Sequence, residues 1–303
     1  MKVLVTGATG FVGQWLTREL RDAGHDVAPA PGSAELDIAD VPAVRALVDD
    51  TRPEVIAHLA AVASSRDASR DPGRALRTNV GGTVAVTEAA RTSPAAPALL
   101  VISSGEVYAP PGEGDTPLDE DAALAPGNAY GMLKLAQESV ALAAARRHEL
   151  RTVVMRPFNH VGPGQPPTTA VASFATRIAA VQRGETEELA VGNIDVERDI
   201  GDVRDYVVAY RLIAEALVAG HLGQLPTVFN VATGTAVSLR WVIDELCRLA
   251  SVTPRIVVDP DLVRADDPPR IVGSAERLRG AIGWRPRIDL AATLADVLAA
   301  QPA

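Results

Sequence analysis

The amino-acid sequence predicts an α/β protein built on a doubly wound parallel sheet, with a smaller α/β lobe toward its C-terminal end. Apolar, strand-like segments alternate with helix-like segments through about residue 157, which is typical of a parallel sheet covered by helices. The first of these strands runs directly into a glycine-rich turn. After residue 157 the pattern changes, because proline and glycine dominate 157–167 and the later segments mix short strands with helices.

The glycine-rich turn is the first functional signal. Gly7, Gly10 and Gly13 follow the first predicted strand, and the amphipathic stretch from Gln14 to Ala23 is expected to be helical. Gly7 can allow a tight turn, Gly10 the close approach of a pyrophosphate, and Gly13 close packing of helix on strand. The helix N-terminus offers free N–H groups and the positive end of its dipole. This pattern predicts a dinucleotide cradle rather than a turn without a ligand.

The domain organisation follows from the same alternation. Strands are predicted near residues 2–6, 26–28, 54–59, 98–103 and 151–156. The segments 203–219 and 226–232 are expected to return to the same domain. We therefore predict a dinucleotide-binding domain of residues 1–157 and about 201–234, and a discontinuous substrate lobe of residues 158–200 and 235–303. Substrate should lie in the crevice between them, beyond the carboxyl ends of the strands.

A tyrosine and a lysine provide the second functional signal. Tyr130 and Lys134 are one helical turn apart, so their side chains share a helix face. A cation beside a phenol favours the phenolate and would lower the tyrosine pKa from its usual value near 10. Tyr130 could then exchange protons near neutral pH. Such pairs also occur by chance on exposed helices, so this one gains weight only from the glycine-rich turn upstream.

Together these motifs resemble the extended short-chain dehydrogenase/reductase family over nearly the whole chain. The glycines stand in Thr-Gly-x-x-Gly-x-x-Gly, and Tyr-x-x-x-Lys follows. The resemblance implies a Rossmann-like fold, an adenine-holding pair at Asp37–Ile38, a strand motif at 58–61 and a helix-pinning Asn79. The cofactor-binding residues that it implies are Gly7, Thr9, Gly10, Phe11, Val12, Gly13, Asp37, Ile38, Leu59, Ala60, Ala61, Asn79, Tyr130, Lys134 and Pro157.

The choice of cofactor depends on the end of the second strand. An NAD enzyme usually carries an acidic residue there, about 20 residues after the glycines, to hold the ribose hydroxyls. Residues 26–33 read Asp-Val-Ala-Pro-Ala-Pro-Gly-Ser, with no acid at the strand end. This removes a repulsion against a 2′-phosphate, although no arginine stands nearby in sequence to bind that phosphate. We expect NADP, with NAD as the alternative, and no metal.

The resemblance also implies catalytic roles. Tyr130 would give a proton to a carbonyl oxygen, Ser104 would donate to the developing oxyanion, and Lys134 would assist Tyr130 and hold the nicotinamide ribose. Glu106 stands where sugar-nucleotide 4,6-dehydratases keep a glutamate base. Many of those enzymes have an Asp-Glu pair, whereas here the first position is Gly105. The lone glutamate does not decide the reaction, because GDP-mannose dehydratases resemble this pattern and related reductases can also carry a glutamate here. Glu106 is equally consistent with a solvated loop carboxylate.

Two further runs resemble the GDP-sugar branch of the family. Residues 156–165, Arg-Pro-Phe-Asn-His-Val-Gly-Pro-Gly-Gln, resemble GDP-6-deoxy-4-keto-mannose reductases, which make GDP-rhamnose; GDP-mannose dehydratases share only Phe-Asn-His. The run 192–205 resembles the same branch, with isoleucine at position 200 in place of the usual aromatic residue. The resemblance implies that Asn159 contacts the sugar or diphosphate and that Arg198 and Arg264 clamp the diphosphate, since a guanidinium matches phosphate oxygens. His160 is either a substrate contact or a hydrogen-bonded loop residue.

Composition excludes several other classes of function. The net charge of −9 and the lack of a basic run argue against a nucleic-acid surface. The single cysteine, Cys247, excludes an internal disulfide and fits a reducing cytoplasm. We find no signal peptide and no 18-residue apolar span, so no membrane association is expected.

The predicted function is NAD(P)H-dependent reduction of the C4 ketone of a nucleotide-linked 4-keto-6-deoxy sugar, with GDP-4-keto-6-deoxymannose as the substrate that the resemblance implies. A 4,6-dehydratase or 4-epimerase with tightly bound NAD is the alternative, because of Glu106. A non-catalytic dinucleotide sensor is a third possibility, against which the retained Tyr130 and Lys134 argue. The resemblance also implies a homodimer formed through helices near 80–92 and 128–147.

Overall fold

A computed structural model describes residues 1–111, 116–224, 227–263 and 267–302. The strands are β1 Lys2–Thr6, β2 Asp26–Pro29, β3 Val55–His58, β4 Ala98–Ile102, β5 Thr152–Pro157, β6 Asn159–Val161, β7 Glu188–Val191, β8 Glu197–Asp202, β9 Thr227–Val231, β10 Ala236–Ser238, β11 Arg255–Val258 and β12 Arg270–Ile271. The α-helices are α1 Phe11–Asp22, α2 Val41–Thr51, α3 Ser65–Arg70, α4 Pro72–Leu76, α5 Gly82–Thr92, α6 Ala129–His148, α7 Ala170–Gln182, α8 Val203–Val218, α9 Leu239–Ala250, α10 Glu276–Ile282 and α11 Leu290–Ala299.

The main sheet has six parallel strands in the order β2-β1-β3-β4-β5-β9. The five strands predicted before residue 157 are its first five members, and β9 returns to it beside β5, as expected for 226–232. The predicted fold class is therefore confirmed. The strand order reverses between β1 and β3, and in such a sheet the crevice beyond the carboxyl ends at this point is the usual ligand site.

Helices cover both faces of the main sheet. In β4 and β5 every residue is buried, which explains why these strands read as nearly continuous apolar runs. Alternate strand residues point to opposite faces. The aligned residues Leu4, Ile56 and Leu99 join a core with α2 and α5, whereas Val3 and Val55 join the core that contains α1 and α8.

The remaining strands form two small sheets. β8 pairs with β10, β12 and β6, and β7 pairs with β11. A separate apolar core beneath them includes Phe174, Ile178, Leu246 and Leu294 from α7, α9 and α11. The division of the chain into two domains at the predicted boundaries stays a prediction. Within the described ranges, no helix is long and apolar enough to cross a bilayer.

Candidate active site

The glycine-rich turn connects β1 to α1 and lies against the end of β3. Gly7 has a φ of 71°, in the left-handed region that favours glycine, and a Cβ there would lie 2.7 Å from the backbone nitrogen of Ala60. A Cβ on Gly13 would lie 2.0 Å from the carbonyl oxygen of Gly7. Neither Gly7 nor Gly13 therefore admits a side chain. The first N–H groups of an α-helix lack partners within the helix, so those at the start of α1 can donate to the oxygens of a pyrophosphate.

A chain of buried hydrogen bonds supports the floor of this crevice. The hydroxyl of Thr83 donates to the carbonyl oxygen of Asn79 at 2.8 Å, so Thr83 accepts from Nε2 of His58 at 3.1 Å. Nδ1 of His58 then accepts from the hydroxyl of Thr6 at 2.8 Å, and Thr6 accepts in turn from the backbone N–H of Ala60 at 3.2 Å. Burial lowers the pKa of His58 to about 3, so the imidazole is neutral.

The other predicted adenine-side residues converge near the start of α5. The side-chain oxygen of Asn79 accepts from the backbone N–H of Val62 at 2.7 Å, and its amide nitrogen donates to the carbonyl oxygen of Val62 at 3.2 Å. Ile38 packs against α5, where a Cβ on Gly82 would lie 2.8 Å from Cγ2 of Ile38. Asp37 forms an ion pair with an arginine of the π-helical turn Arg77–Gly81 that precedes α5.

The predicted catalytic residues meet at the carboxyl end of β4. Tyr130 and Lys134 lie on the buried face of α6. The Ser104 hydroxyl lies close enough to the Tyr130 hydroxyl to act on its pKa. Nζ of Lys134 donates to the carbonyl oxygen of Ile102 at 2.8 Å and lies 5.9 Å from the centroid of the Tyr130 ring. The structure therefore brings Ser104, Tyr130 and Lys134 together.

The protonation of this group differs from the expectation. Burial raises the pKa of Tyr130, the Glu106 carboxylate raises it further, and the nearby Ser104 hydroxyl lowers it. Burial lowers the pKa of Lys134 to about 7. The expectation that Lys134 lowers the pKa of Tyr130 is therefore corrected, because desolvation of the buried phenol dominates and the ammonium group is directed to Ile102.

Glu106 is hydrogen bonded to the residue that caps the start of α6. It belongs to the 3₁₀ turn Gly105–Val107, and its Oε2 accepts from the side-chain amide of Asn128 at 2.8 Å. Asn128 also caps α6, because its Oδ1 accepts from the N–H of Gly131 at 2.9 Å. A Cβ on Gly131 would lie 2.3 Å from the Glu106 carbonyl oxygen. Sequence reasoning missed Asn128 and Gly131, although an asparagine before a predicted helix is a recognisable cap.

A phenylalanine beside the catalytic residues was also missed. A Cβ on Gly105 would lie 3.2 Å from the Phe158 ring, and a Cβ on Gly273 only 2.4 Å from it. The ring of Tyr108 stacks on Phe158, with centroids 6.2 Å apart. Phe158 therefore occupies the space next to Gly105, the position where many dehydratases carry an aspartate.

The predicted sugar-side residues are only partly brought together. Asn159 is exposed, and its side-chain amide donates to the carbonyl oxygen of Asp199 at 3.3 Å. The His160 ring stacks on Phe11 with an interplanar angle of 4°. Arg198 is paired with Asp267 at 2.5 Å. Arg264 lies outside the described residues, and the binding roles of all four residues stay predictions.

The run of residues 156–165, which resembles the GDP-sugar branch, packs against α1 and α8. The indole N–H of Trp15 on α1 donates to the carbonyl oxygen of Pro163 at 3.3 Å, and a Cβ on Gly162 would lie 2.5 Å from Val203 on α8.

A cleft lies between α1 and the end of β2. It is lined by Ala8, Thr9, Gln14, Thr17, Arg18, Arg21, Asp22 and Pro29. The two arginines were missed because they lie on α1 and not after β2.

Comparison with known proteins identifies the family of this chain. The model of the NAD dependent epimerase/dehydratase family matches residues 3–232. GDP-6-deoxy-D-mannose reductase of Pseudomonas aeruginosa is 35% identical over 299 residues, which cover 98% of this chain and 96% of that protein. UDP-glucose 4-epimerase of Mycolicibacterium smegmatis is 29% identical over 97% of this chain and 96% of that protein.

Among solved structures, RMD from Pseudomonas aeruginosa complexed with NADPH superposes with a TM-score of 0.88 at 34% identity, covering 98% of this chain and 97% of that one. The family match spans more than half of the chain, and it includes the glycine-rich turn, Ser104, Tyr130 and Lys134. The chain belongs to the NAD dependent epimerase/dehydratase family.

Proposed function

We propose that this protein is a reductase that uses NADPH to reduce the C4 ketone of a nucleotide-linked 4-keto-6-deoxy sugar, converting GDP-4-keto-6-deoxymannose to GDP-rhamnose. The observation that carries the proposal is the 35% identity, over 98% of the chain, with a GDP-6-deoxy-D-mannose reductase. Ser104, Tyr130 and Lys134, the residues needed for reduction, meet at the carboxyl end of β4. Gly105 stands where many dehydratases carry the aspartate of their Asp-Glu pair.

The chemistry divides between cofactor and protein. The cofactor supplies the hydride. Tyr130 donates its phenolic proton to the C4 oxygen as the carbonyl becomes an alcohol, and the Ser104 hydroxyl donates a hydrogen bond to the charge that develops on that oxygen. Lys134, with a pKa lowered to about 7 by burial, holds a mobile proton close to the Tyr130 ring. The oxygen of Tyr130 then recovers its proton from solvent.

Tyr130 enters the proposed reduction with its proton in place. Burial and Glu106 keep the phenol protonated at neutral pH, which is the state that an acid needs to donate. Dehydratases and epimerases begin by oxidising the sugar, and that step needs the tyrosine as a base.

The preference for NADPH is supported by charge at the end of β2. No acid stands at the end of this strand, and Arg18 and Arg21 line the adjacent cleft beside Thr9. Among the described residues, the lining of that cleft includes one acid, Asp22. An arginine close to this position can accommodate the 2′-phosphate of NADP. The identity with the GDP-sugar reductase supports guanine as the base.

The decisive experiment incubates the purified protein with GDP-4-keto-6-deoxymannose and either NADPH or NADH. We expect stoichiometric oxidation of NADPH and one GDP-6-deoxyhexose product with the rhamno configuration. No oxidation of either cofactor would refute the proposal. GDP-, UDP-, dTDP- and CDP-sugars tested by thermal shift would identify the base, since a ligand of the native state raises its melting temperature.

A 4-epimerase is the second candidate, and the position of Glu106 favours it. Its charge acts on Tyr130, so both could serve one sugar, and epimerases are among the similar proteins. An epimerase or dehydratase regenerates its cofactor each cycle. Conversion of UDP-glucose or GDP-mannose without added NADPH would therefore select this candidate.

We further propose that two copies associate through α5 and α6. Val84 on α5 and Met132 on α6 are 45% and 62% exposed, and Leu76 at the end of α4 is 53% exposed. Large apolar side chains exposed on adjacent helices favour a protein partner. Light scattering should give a dimer mass at micromolar concentration, and Met132→Asp should give a monomer. The single Cys247 also fits the cytoplasm as the location of such an enzyme.

A further inference from the structure

Three consecutive turns of α6 face the carboxyl end of β4. Tyr130 lies close to Ser104, and Lys134 donates to the carbonyl oxygen of Ile102 at 2.8 Å. One turn further, Oε2 of Glu138 accepts from the Ser103 hydroxyl at 3.0 Å. Residues four apart lie on one face of a helix, so these contacts form a line along α6.

The third contact is held in place by a buried ion pair. Nε of Arg156 on β5 donates to Oε2 of Glu138 at 3.0 Å, and its Nη2 contacts the other carboxylate oxygen. Nη1 of Arg156 donates to the Tyr108 hydroxyl at 3.0 Å, which in turn donates to the side-chain oxygen of Asn230 at 2.6 Å. Arg156 is the charged partner of Glu138, and the network that it completes joins α6 to β5 and β9.

We propose that Glu138 is a positioning residue that fixes Ser104 relative to Tyr130 through the hydroxyl of Ser103. Glu138, Ser103 and Arg156 are 1%, 2% and 3% exposed, so water does not compete for their hydrogen bonds. Ser103 directly precedes Ser104, and its N–H is bonded to the carbonyl oxygen of Met155 on β5 at 2.7 Å. With both its N–H and its hydroxyl fixed, Ser103 leaves the following residue little freedom. The inference rests on the proposed function in taking Ser104 and Tyr130 as the reacting pair.

The variant that tests this is Ser103→Ala. It removes the hydroxyl and keeps the ion pair of Glu138, whereas a change at Glu138 would leave the Arg156 charge buried and could unfold the protein. We expect kcat to fall about tenfold or more, because a misplacement of about 1 Å can cost about 10²-fold in rate. The dissociation constant for NADPH should stay within twofold of wild type. Ser103→Thr should restore kcat, and Ser139→Ala, on the exposed side of α6, serves as the matched control.

A second measurement separates positioning from a general structural effect. In a Ser104→Ala background, Ser103→Ala should lower kcat no further, because the residue that it positions is gone. An equal loss in both backgrounds, or a kcat within twofold of wild type for Ser103→Ala, would overturn the inference. The proposed function is refuted by a different result: the wild-type protein oxidises no NADPH but converts another nucleotide sugar. In that case the same variants are compared in the reaction observed, which also uses Ser104 and Tyr130.

Discussion

The Thr6 hydroxyl on β1 donates a hydrogen bond to Nδ1 of His58 on the neighbouring strand β3, and the two atoms are 2.8 Å apart. The direction of this bond is fixed at its far end, because the other imidazole nitrogen donates to Thr83, whose own proton is given to Asn79. A second proton on His58 would face the hydroxyl proton of Thr6. The hydrogen bonds beneath the predicted cofactor site therefore require a neutral His58 imidazole.

We predict that His58 makes the protein sensitive to acid. Its pKa is about 3 in the folded protein against 6.5 for an ordinary histidine, so the unfolded chain binds more protons between these values. The free energy of unfolding should fall as the pH drops through this window, by at most about 5 kcal/mol. Urea unfolding of wild type and His58→Asn from pH 7 to pH 4 measures this. The slope should be smaller for His58→Asn and unchanged for the surface variant His221→Asn. Parallel curves for wild type and His58→Asn would contradict the prediction.

We predict that Tyr130→Phe and Lys134→Met fail in different ways. Removing the phenolic hydroxyl should lower kcat by about 10²–10⁴-fold, the usual contribution of general acid–base catalysis, with little change in NADPH affinity. Lys134→Met should also weaken NADPH binding, since Lys134 is predicted to hold the ribose. Steady-state kinetics and fluorescence titration with NADPH distinguish the two. If Tyr130→Phe keeps more than about a third of the wild-type kcat while chemistry limits the rate, Tyr130 is not the acid.

We predict that an alanine destabilises the protein more at Gly273 than at Gly105, the two glycines that contact Phe158. Gly273→Ala should destabilise the protein by about 1–3 kcal/mol, the usual cost of overpacking, because its Cβ would lie 2.4 Å from the ring and 2.7 Å from Cβ of Ala232. Gly105→Ala should cost less, since its contact is 3.2 Å. Gly223→Ala adds a Cβ into open space and is the control. Thermal unfolding should rank Gly273→Ala lowest, and equal melting temperatures for all three would refute this packing.

We predict that Arg18 contributes to the choice between NADPH and NADH. Arg18→Ala should raise the dissociation constant of NADPH about three- to tenfold, or roughly 1 kcal/mol for an exposed charge pair, and leave that of NADH unchanged. Arg146→Ala, which removes an exposed arginine from the last turn of α6, is the control for net charge. Equal weakening of both cofactors by Arg18→Ala would show that this arginine does not bind the 2′-phosphate.

Much of the dinucleotide-binding region could be predicted because its signals are local. The glycine spacing, the buried strands and the Tyr130–Lys134 interval each lie within a few residues, and the structure places them as expected. At the end of the second strand, the sequence showed only that an acidic residue is lacking. The arginines in its cleft belong to α1, and their position depends on how α1 packs against β2.

The protonation of the site could not be predicted, because it depends on burial. The Tyr130–Lys134 spacing indicated an ammonium acting on a phenol, but it did not show that both groups would be desolvated. The filling of the space beside Gly105 also required the fold, since Phe158 and Gly273 are distant from it in sequence. The contact between Trp15 and Pro163 joins segments 148 residues apart, which no local pattern specifies.

The Phe158 ring has a consequence for how new activities could evolve from this chain. Single mutations are the steps most accessible to evolution, and a glycine-to-aspartate change at position 105 would install the missing acid of a dehydratase. With Phe158 in place, the Cβ of that aspartate would lie 3.2 Å from the ring, so the ring would have to shift by a few tenths of an ångström to admit it. Tyr108 stacks on the same ring, and Gly273 leaves no gap on another side of it. The stability cost of the first step toward a dehydratase is therefore set by how far these neighbours let Phe158 move.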